Sequence, residues 1–295
     1  MRKRLTIVAA LLAALLAPAT AFAWGAAGHQ YITRRAIELL PPEIKSFFEA
    51  HRDELVLRSN DPDLWRVAGF EDDPNHFIDF GVDEYGPYPF TALPRAYDAA
   101  VEKFGVALIK RNGLLPWRTM EEFGNLRRTL EGFTRGQPYV EGNAILFGAV
   151  LAHYVEDAHM PFHAHINYDG QLSGQWGIHS RFESALIERF ESRLVINPAP
   201  ARSIPDMRGF MFDTAMNSFQ RVPEILQADK DAVAGRTTYD DEYFEALFVS
   251  MKPLLERQLA AAITATASVF VTAWEQAGKP ALKSAPRRVE KVRKP

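Results

Sequence analysis

The chain has 295 residues, of which 47% are hydrophobic and 24% charged, and its formal net charge is −3. This composition is ordinary for a globular protein and excludes a disordered, collagen-like or low-complexity chain. The sequence contains no cysteine, which excludes disulfide scaffolds, iron–sulfur clusters, thiol catalysis and cysteine-based zinc sites.

The first 23 residues predict a secretory signal peptide. A basic start, MRKR, precedes the apolar stretch 5–17, and Ala21-Phe22-Ala23 forms an A-x-A cleavage signal. The apolar stretch is short for a bilayer-spanning helix, although an uncleaved anchor is the alternative. We expect cleavage between Ala23 and Trp24, export to the periplasm or the medium, and no transmembrane segment in the mature chain.

Residues 24–278 predict a single compact all-α domain. Apolar residues recur at spacings of three and four, which is the period of amphipathic helices. The segments with this pattern are 31–40, 96–111, 119–133, 143–159, 179–194, 213–227 and 241–277. The mostly apolar 143–159 is typical of a central buried helix, and Pro253 is expected to kink or divide the last helix.

Charge is unevenly distributed along the chain. Residues 279–295 carry seven Lys or Arg and one Glu, whereas residues 24–278 have a net charge of −12. An acidic body argues against broad nucleic-acid binding and suits a protein that binds several divalent cations. The basic segment 279–295 predicts a disordered tail that either has no role or contacts an anionic surface.

Two His-carboxylate pairs point to metal binding. In LAHYVEDAHMPFHAH (151–165), His153 and Asp157 lie one helical turn apart, and His163 follows the helix-ending Pro161. A buried hydrogen-bonded pair would explain one such pattern. The segment GIHSRFE (177–183) contains a second pair, His179 and Glu183, and two pairs without cysteine favour zinc.

Three earlier segments add candidate ligands. WGAAGH (24–29) contains His29, NHFID (75–79) contains His76, and DPDLWR (61–66) contains Asp61 and Asp63. Spacing does not separate these two aspartates, and a solvated carboxylate loop is the alternative. Cleavage before Trp24 would free an α-amine with a pKa near 8, whose nitrogen and carbonyl could chelate a metal.

These five segments, in order from Trp24 to Glu183, resemble the zinc-dependent phospholipase C and single-strand-specific nuclease superfamily. The resemblance implies a compact all-α domain with three zinc ions. The first zinc would be bound by Asp63, His76, His153 and Asp157. The second would be bound by Trp24, His29 and the bridging Asp157, and the third by His163, His179 and Glu183. The family's aspartate follows a proline and precedes an aromatic turn, which favours Asp63; His51, His159 and His165 match no ligand position.

The resemblance also implies a mechanism. A hydroxide between two zinc ions would attack the phosphorus of a phosphodiester, Asp63 would orient it or accept its proton, and the third zinc would stabilise the leaving oxygen. Arg66 matches a nuclease arginine near the phosphate and could stabilise the transition state, or it could form a surface salt bridge. The protein is expected to be a monomer with no organic cofactor.

The sequence leaves two classes of substrate open, phospholipid and single-stranded nucleic acid. Glu183, where the nucleases usually have Asp, and the absence of cysteine favour a phospholipase C-like enzyme acting on a phospholipid. The short gap from Trp24 to His29 favours a nuclease/3′-nucleotidase acting on single-stranded nucleic acid, as does a Phe77 able to stack a base and an Asp79 able to accept from its edge. Phe77 could equally belong to the core. The phospholipase is preferred, and a catalytically inactive zinc-binding protein is the remaining alternative.

Overall fold

The computed structural model describes residues 24–283. The predicted signal peptide, 1–23, and residues 284–295 of the predicted tail lie outside the described residues. The first residues of that tail are described, and Pro280 accepts a hydrogen bond from the Trp274 indole at 2.9 Å.

The described residues form a single compact all-α domain, which confirms the predicted class. Twelve helical segments follow one another in these residues: α1 Gly25–Glu38, α2 Pro42–Ala50, α3 Arg52–Arg58, α4 Asp61–Val67, α5 Tyr97–Phe104, α6 Val106–Arg111, α7 Leu115–Thr134, α8 Val140–Asp157, α9 178–190, α10 Met207–Phe219, α11 Val222–Val233 and α12 Asp241–Gln276. Short 3₁₀ turns cover Asp73–His76, Asp83–Tyr85, Pro161–Ala164 and Glu191–Arg193. Extended pairing among residues 24–283 is limited to a bridge between Phe80 and His165.

Helix α8 is the central buried helix that its apolar sequence predicts. All ten residues from Gly148 to Asp157 are buried, because α1, α3, α4, α7 and α12 pack around it. A helix that is apolar on nearly every side gains most when it is enclosed by others. The polar residues at its C-terminal end are therefore held in the interior.

Two predicted helices are each two helices in the structure. The segment 96–111 breaks at Gly105, whose φ of 81° is accessible to glycine at little cost. The segment 213–227 breaks after α10, and α11 begins with Pro223 in its first turn, where the fixed φ of proline suits a helix start.

Pro253 lies inside the continuous α12, so division of this helix was wrong, whereas a kink at Pro253 stays a prediction. The proline removes the hydrogen bond to the carbonyl of Val249, one turn earlier. Both residues are exposed, and water can satisfy that carbonyl.

Helix α12 also passes the length and composition test for crossing a bilayer, although no segment after the signal peptide was expected to. Within residues 24–283 it is the one helix that does so, and 67% of its most apolar stretch is buried in the protein. The core helix of a globular domain meets the same criterion, so this match is weak evidence for a membrane span.

Candidate metal centre

The C-terminal end of α8 and the turn that follows supply one side of the site. His153 and Asp157 face the interior one turn apart and are both fully buried. Helix α8 ends at Asp157, and the 3₁₀ turn that begins at Pro161 brings His163 back towards Asp157.

Helix α9 supplies the other side. Its central residues, Arg181–Ala185, form a π-helical turn between α-helical residues Ile178–Ser180 and Leu186–Phe190. His179 precedes this turn and Glu183 lies within it, with His179 Nε2 3.0 Å from Glu183 Oε2. Single π turns inside helices occur often at functional sites, because they alter the direction of side chains locally.

Three groups of buried side chains could each hold a metal ion. Within each group the potential ligand atoms lie within 4.8 Å of one another. The groups are His29, His153 and Asp157; Asp63, His76 and His153; and His163, His179 and Glu183. All eight side chains in these groups were predicted as ligands from the sequence.

Asp157 lies at the centre of these groups. Its Oδ1 is 3.5 Å from His29 Nε2 and 3.7 Å from His163 Nδ1. Its Oδ2 is 3.1 Å from His76 Nδ1 and 3.3 Å from His153 Nε2. Burial alone would raise the pKa of Asp157, but the positive charge of neighbouring histidines, His153 and His163 foremost, holds it well below its usual range.

Trp24 lies beside the third group as well as near His29. Its backbone nitrogen donates to Glu183 Oε2 at 2.9 Å, and its buried indole donates to the Glu156 carbonyl at 2.7 Å. In the uncleaved chain this nitrogen is a peptide amide. The interpretation of Trp24 as a ligand after cleavage stays a prediction.

Glu156 is a buried carboxylate beside the donor groups that the sequence reasoning missed. Its Oε2 lies 2.6 Å from His29 Nδ1, and its Oε1 accepts from the Thr33 hydroxyl at 2.8 Å. Burial raises the pKa of Glu156 to about 7, with His29 opposing the shift. Burial would lower the pKa of His29, but the nearby carboxylates of Asp157 and Glu156 raise it to about 10. Glu156 thus directs His29 Nε2 towards Asp157.

Asp72 and Tyr154 orient His76 and were also missed. Asp72 Oδ2 is 3.0 Å from His76 Nε2 and accepts from the Tyr154 hydroxyl at 2.7 Å. The remaining ring nitrogen, His76 Nδ1, then points at Asp157 and lies 3.0 Å from His153 Nε2. Carboxylates that fix the ring of a metal-binding histidine in this way are a regular feature of metal sites.

The structure separates Asp61 from Asp63. Asp63 is buried in the second group, whereas Asp61 pairs with Arg58 at 3.1 Å. Arg66 lies at the edge of this group, with Nη1 3.1 Å from Asp63 Oδ1 and Nε 2.6 Å from Asp73 Oδ1. Arg66 therefore lies beside the centre, and its role at a phosphate stays a prediction.

Phe77 and Asp79 follow His76 on an extended segment. Phe77 is half-buried, and its backbone lies so close to Gly113 that a Cβ there would come within 2.1 Å of the Phe77 carbonyl oxygen. Asp79 Oδ1 is buried without a hydrogen-bond partner, and burial raises the pKa of Asp79 to about 7. The Tyr85 hydroxyl lies nearby and interacts with the Asn112 side chain.

Three histidines lie outside the groups. His51 contacts Glu141 at 3.0 Å, and His159, in the turn after α8, donates from Nδ1 to the carbonyl of Val155 at 2.8 Å. His165 accepts from the backbone of Asn167 and stacks on Phe219. These contacts agree with the expectation that none of the three matches a ligand position.

The donor set fits a metal. Four atoms that face into the groups are buried without a hydrogen-bond partner: His29 Nε2, Asp63 Oδ2, Asp157 Oδ1 and Glu183 Oε1. Leaving such polar atoms unpaired in a protein interior is costly, whereas cations held by the three groups would satisfy them. Imidazole and carboxylate donors without thiolate are compatible with zinc.

A scan against protein-family models and a search of curated proteins each give no match to this chain. The residues and geometry of the site therefore carry the inference of function.

Proposed function

We propose that the protein is an exported zinc-dependent phosphodiesterase that acts as a phospholipase C-like enzyme. The observation that supports this most is the arrangement of three buried donor groups around the single carboxylate of Asp157. One such group is common in proteins, but three that share or adjoin one carboxylate suit multinuclear catalysis. When bound, three zinc ions would supply an activated water at neutral pH and neutralise charge on the phosphate oxygens.

The residues of the chain would divide the remaining work. Asp157 would hold two ions at a fixed separation, and Glu156 and Asp72 would keep His29 and His76 in the orientation that binding needs. Asp63, with one oxygen near Arg66 and the other unpartnered, could orient the attacking water or accept its proton. Arg66 is partly exposed and could exchange its contact with Asp73 for a phosphate oxygen.

A single-stranded nucleic acid is the second candidate substrate, favoured by the position of Asp79. This carboxyl group follows Phe77 by two residues, has a pKa raised to about 7 by burial and presents an unpartnered oxygen. Such a group could accept a hydrogen bond from a base edge while the half-buried Phe77 contacts the base. The net charge of −12 on residues 24–278 weighs against a polyanion.

The test is hydrolysis by protein stripped of metal and then reloaded with zinc. The substrates are phosphatidylcholine, single-stranded DNA, RNA and bis(p-nitrophenyl) phosphate. We expect zinc-dependent hydrolysis of phosphatidylcholine and the nitrophenyl diester, with nucleic acids cleaved more slowly. Faster cleavage of DNA or RNA would select the nuclease. Stoichiometric zinc with no turnover of any phosphodiester would select the inactive zinc-binding protein.

A further inference from the structure

Arg181 is a buried cation that belongs to none of the three donor groups. It begins the π-helical turn that contains Glu183, and it lies two residues after His179. Since successive helical residues are about 100° apart around the axis, Arg181 projects from the opposite side of α9 to His179. His179 and Glu183 face the third donor group, so Arg181 faces away from it.

The guanidinium of Arg181 joins α9 to two other helices. Its Nε donates to the Tyr243 hydroxyl on α12 at 2.8 Å, and its Nη2 donates to Asp229 Oδ1 on α11 at 3.0 Å. The Tyr243 hydroxyl in turn donates to Asp229. Both partners are at most 1% exposed, so the ion pair lies in the protein interior, where removal of one partner is strongly unfavourable.

The same guanidinium holds the loop that precedes α9. Its Nη1 donates to the Trp176 carbonyl at 2.7 Å, and its Nη2 donates to the Gln175 carbonyl at 3.3 Å. The Gln175 side chain also donates to Asp229 Oδ2 at 2.7 Å. The loop, α9, α11 and α12 therefore meet at one buried set of side chains. These form the Arg181 anchor: Gln175, Arg181, Asp229 and Tyr243.

The anchor has a geometric consequence for the metal ligands on α9. Rotation of a helix about its axis moves the side chains on its two sides together, so fixing one side also fixes the direction of the other. The third donor group combines His179 and Glu183 with His163, which lies outside α9. Its three ligand atoms meet only when α9 has the right rotation. A guanidinium suits this task, because its donors form a rigid planar fork that reaches several acceptors at once.

We propose that Arg181 is a positioning residue for the third donor group: its anchor fixes the rotation of α9, so that His179 and Glu183 are directed at the metal position before zinc binds. Ligands ordered in advance lose less conformational entropy on binding, and zinc affinity is higher as a result. The positioning role rests on the zinc binding of the proposed function, but it is measured by zinc affinity and needs no turnover.

Two variants perturb the anchor to different degrees. Arg181→Lys keeps a positive charge beside Asp229, but its single nitrogen cannot replace the fork that reaches Tyr243 and the loop carbonyls together. Arg181→Met with Asp229→Asn removes both charges, so no buried charge is left without a partner, and the Asn oxygen can still accept from Gln175. The control is Leu255→Ala, which truncates a fully buried side chain about 18 Å along α12 from Tyr243 and destabilises the fold away from the anchor.

Zinc is titrated into metal-stripped protein in competition with a chromophoric chelator, which gives the number and the affinity of the bound ions. Glu183→Gln identifies the third zinc, because Glu183 belongs to that donor group alone. Urea denaturation of the metal-free variants gives the free energy of unfolding of each.

We expect the third zinc to bind about 10–100-fold more weakly in the double variant, as when a residue that orients a metal ligand is removed. Arg181→Lys should show a smaller loss. The other two zinc ions should bind as in the wild type. All three should do so in Leu255→Ala, even where its free energy of unfolding falls as far as that of the anchor variants.

A double-mutant cycle separates positioning from a merely structural role. In a chain that already carries Glu183→Gln, the anchor variants should cause no further loss of zinc affinity, because the ligand that they position is absent. A structural role would weaken zinc binding independently of Glu183, and the two losses would add.

Unchanged binding of the third zinc in the double variant would overturn the proposal. Losses that add in the Glu183→Gln chain, an equal loss in Leu255→Ala, or a Glu183→Gln variant with the zinc affinity of the wild type would also overturn it. The expected zinc affinities with no hydrolysis of any phosphodiester would support positioning by Arg181 and refute the phosphodiesterase.

Discussion

Replacing Asp157 with Asn tests whether one carboxylate serves two metal ions. Asp157 is fully buried, and its two oxygens lie between 3.1 and 3.7 Å from nitrogens of four histidines. Asn preserves the size of the side chain but removes the charge and replaces one oxygen with an amide. Because this carboxylate belongs to the first donor group and its Oδ2 lies beside His76 and His153 of the second, we expect Asp157→Asn to lose more than one zinc equivalent.

The position of Asp157 sets the size of the expected losses in metal affinity, turnover and stability. Loss of a residue that merely orients a ligand costs about 10–100-fold in metal affinity, so loss of a shared ligand should exceed this at both sites. Turnover should fall by about 10³-fold or more. In the metal-free protein the substitution removes the partner of buried positive charge, which costs about 3–5 kcal/mol. The pKa of Asp157 is lowered by folding, so this stability is present above the unfolded pKa near 3.9 and is lost as the pH falls below it.

The matched control is His159→Asn, two residues further along the chain. His159 is also buried, but its Nδ1 donates to the carbonyl of Val155 in the preceding helix, so this variant should retain the full metal content. Zinc per chain is measured by mass spectrometry after dialysis, and turnover with bis(p-nitrophenyl) phosphate. Equal zinc content in the two variants would refute the assignment of ligands within 151–165.

Further predictions concern three other residues. Glu183→Gln should slow the hydrolysis of substrates with poor leaving groups more than that of the activated nitrophenyl diester. If steady-state rates fall equally for both, the metal of the third donor group only positions the phosphate. A chain that retains a Met before Trp24 should bind less zinc and turn over more slowly than the cleaved chain in parallel measurements; equal values would remove Trp24 as a ligand. Burial raises the pKa of Asp79 to about 7, so the folded protein holds a proton on Asp79 that the unfolded chain releases. The stability of the protein therefore falls as the pH rises from about 4 through 7. We therefore compare the free energy of unfolding of Asp79→Asn with that of the wild type by urea denaturation at pH 4 and pH 8. The difference should shift in favour of the variant by up to about 4 kcal/mol between pH 4 and pH 8. A difference that does not change with pH would contradict this.

The sequence predicted the long helices because each repeats its apolar period several times. Segments 119–133 and 143–159 correspond to α7 Leu115–Thr134 and α8 Val140–Asp157. The helices α2 to α4 were missed, since each has only seven to nine residues. That length holds barely two turns, and their formation depends on packing against neighbouring helices more than on local pattern.

The pairs His153/Asp157 and His179/Glu183 were predictable because their members lie one helical turn apart. The other ligands were predicted from the family resemblance. Their supporting residues were not, because those contacts join distant parts of the chain: Asp72 meets Tyr154 across 82 positions, and His29 meets Glu156 across 127. One signal was available. Glu156 is a carboxylate beside Asp157 on a helix that is otherwise almost wholly apolar, and a second buried charge there requires a partner.

These supporting contacts explain why the centre is suited to a cation. In five histidines of the groups, one side of the ring is held by an acceptor from elsewhere in the fold. The acceptors are Glu156 for His29, Asp72 for His76, the Ser59 carbonyl for His153, the His76 carbonyl for His163 and the Tyr168 backbone for His179. With that side occupied, the opposite nitrogen faces Asp157 in His29, His76 and His153 and faces Glu183 in His179. Inward-facing nitrogens and carboxylates in a buried space cannot all be satisfied by hydrogen bonds, as the unpartnered atoms at His29, Asp63, Asp157 and Glu183 demonstrate. The hydrogen bonds from these acceptors thus hold the histidines in an arrangement that positive charge at the centre would stabilise.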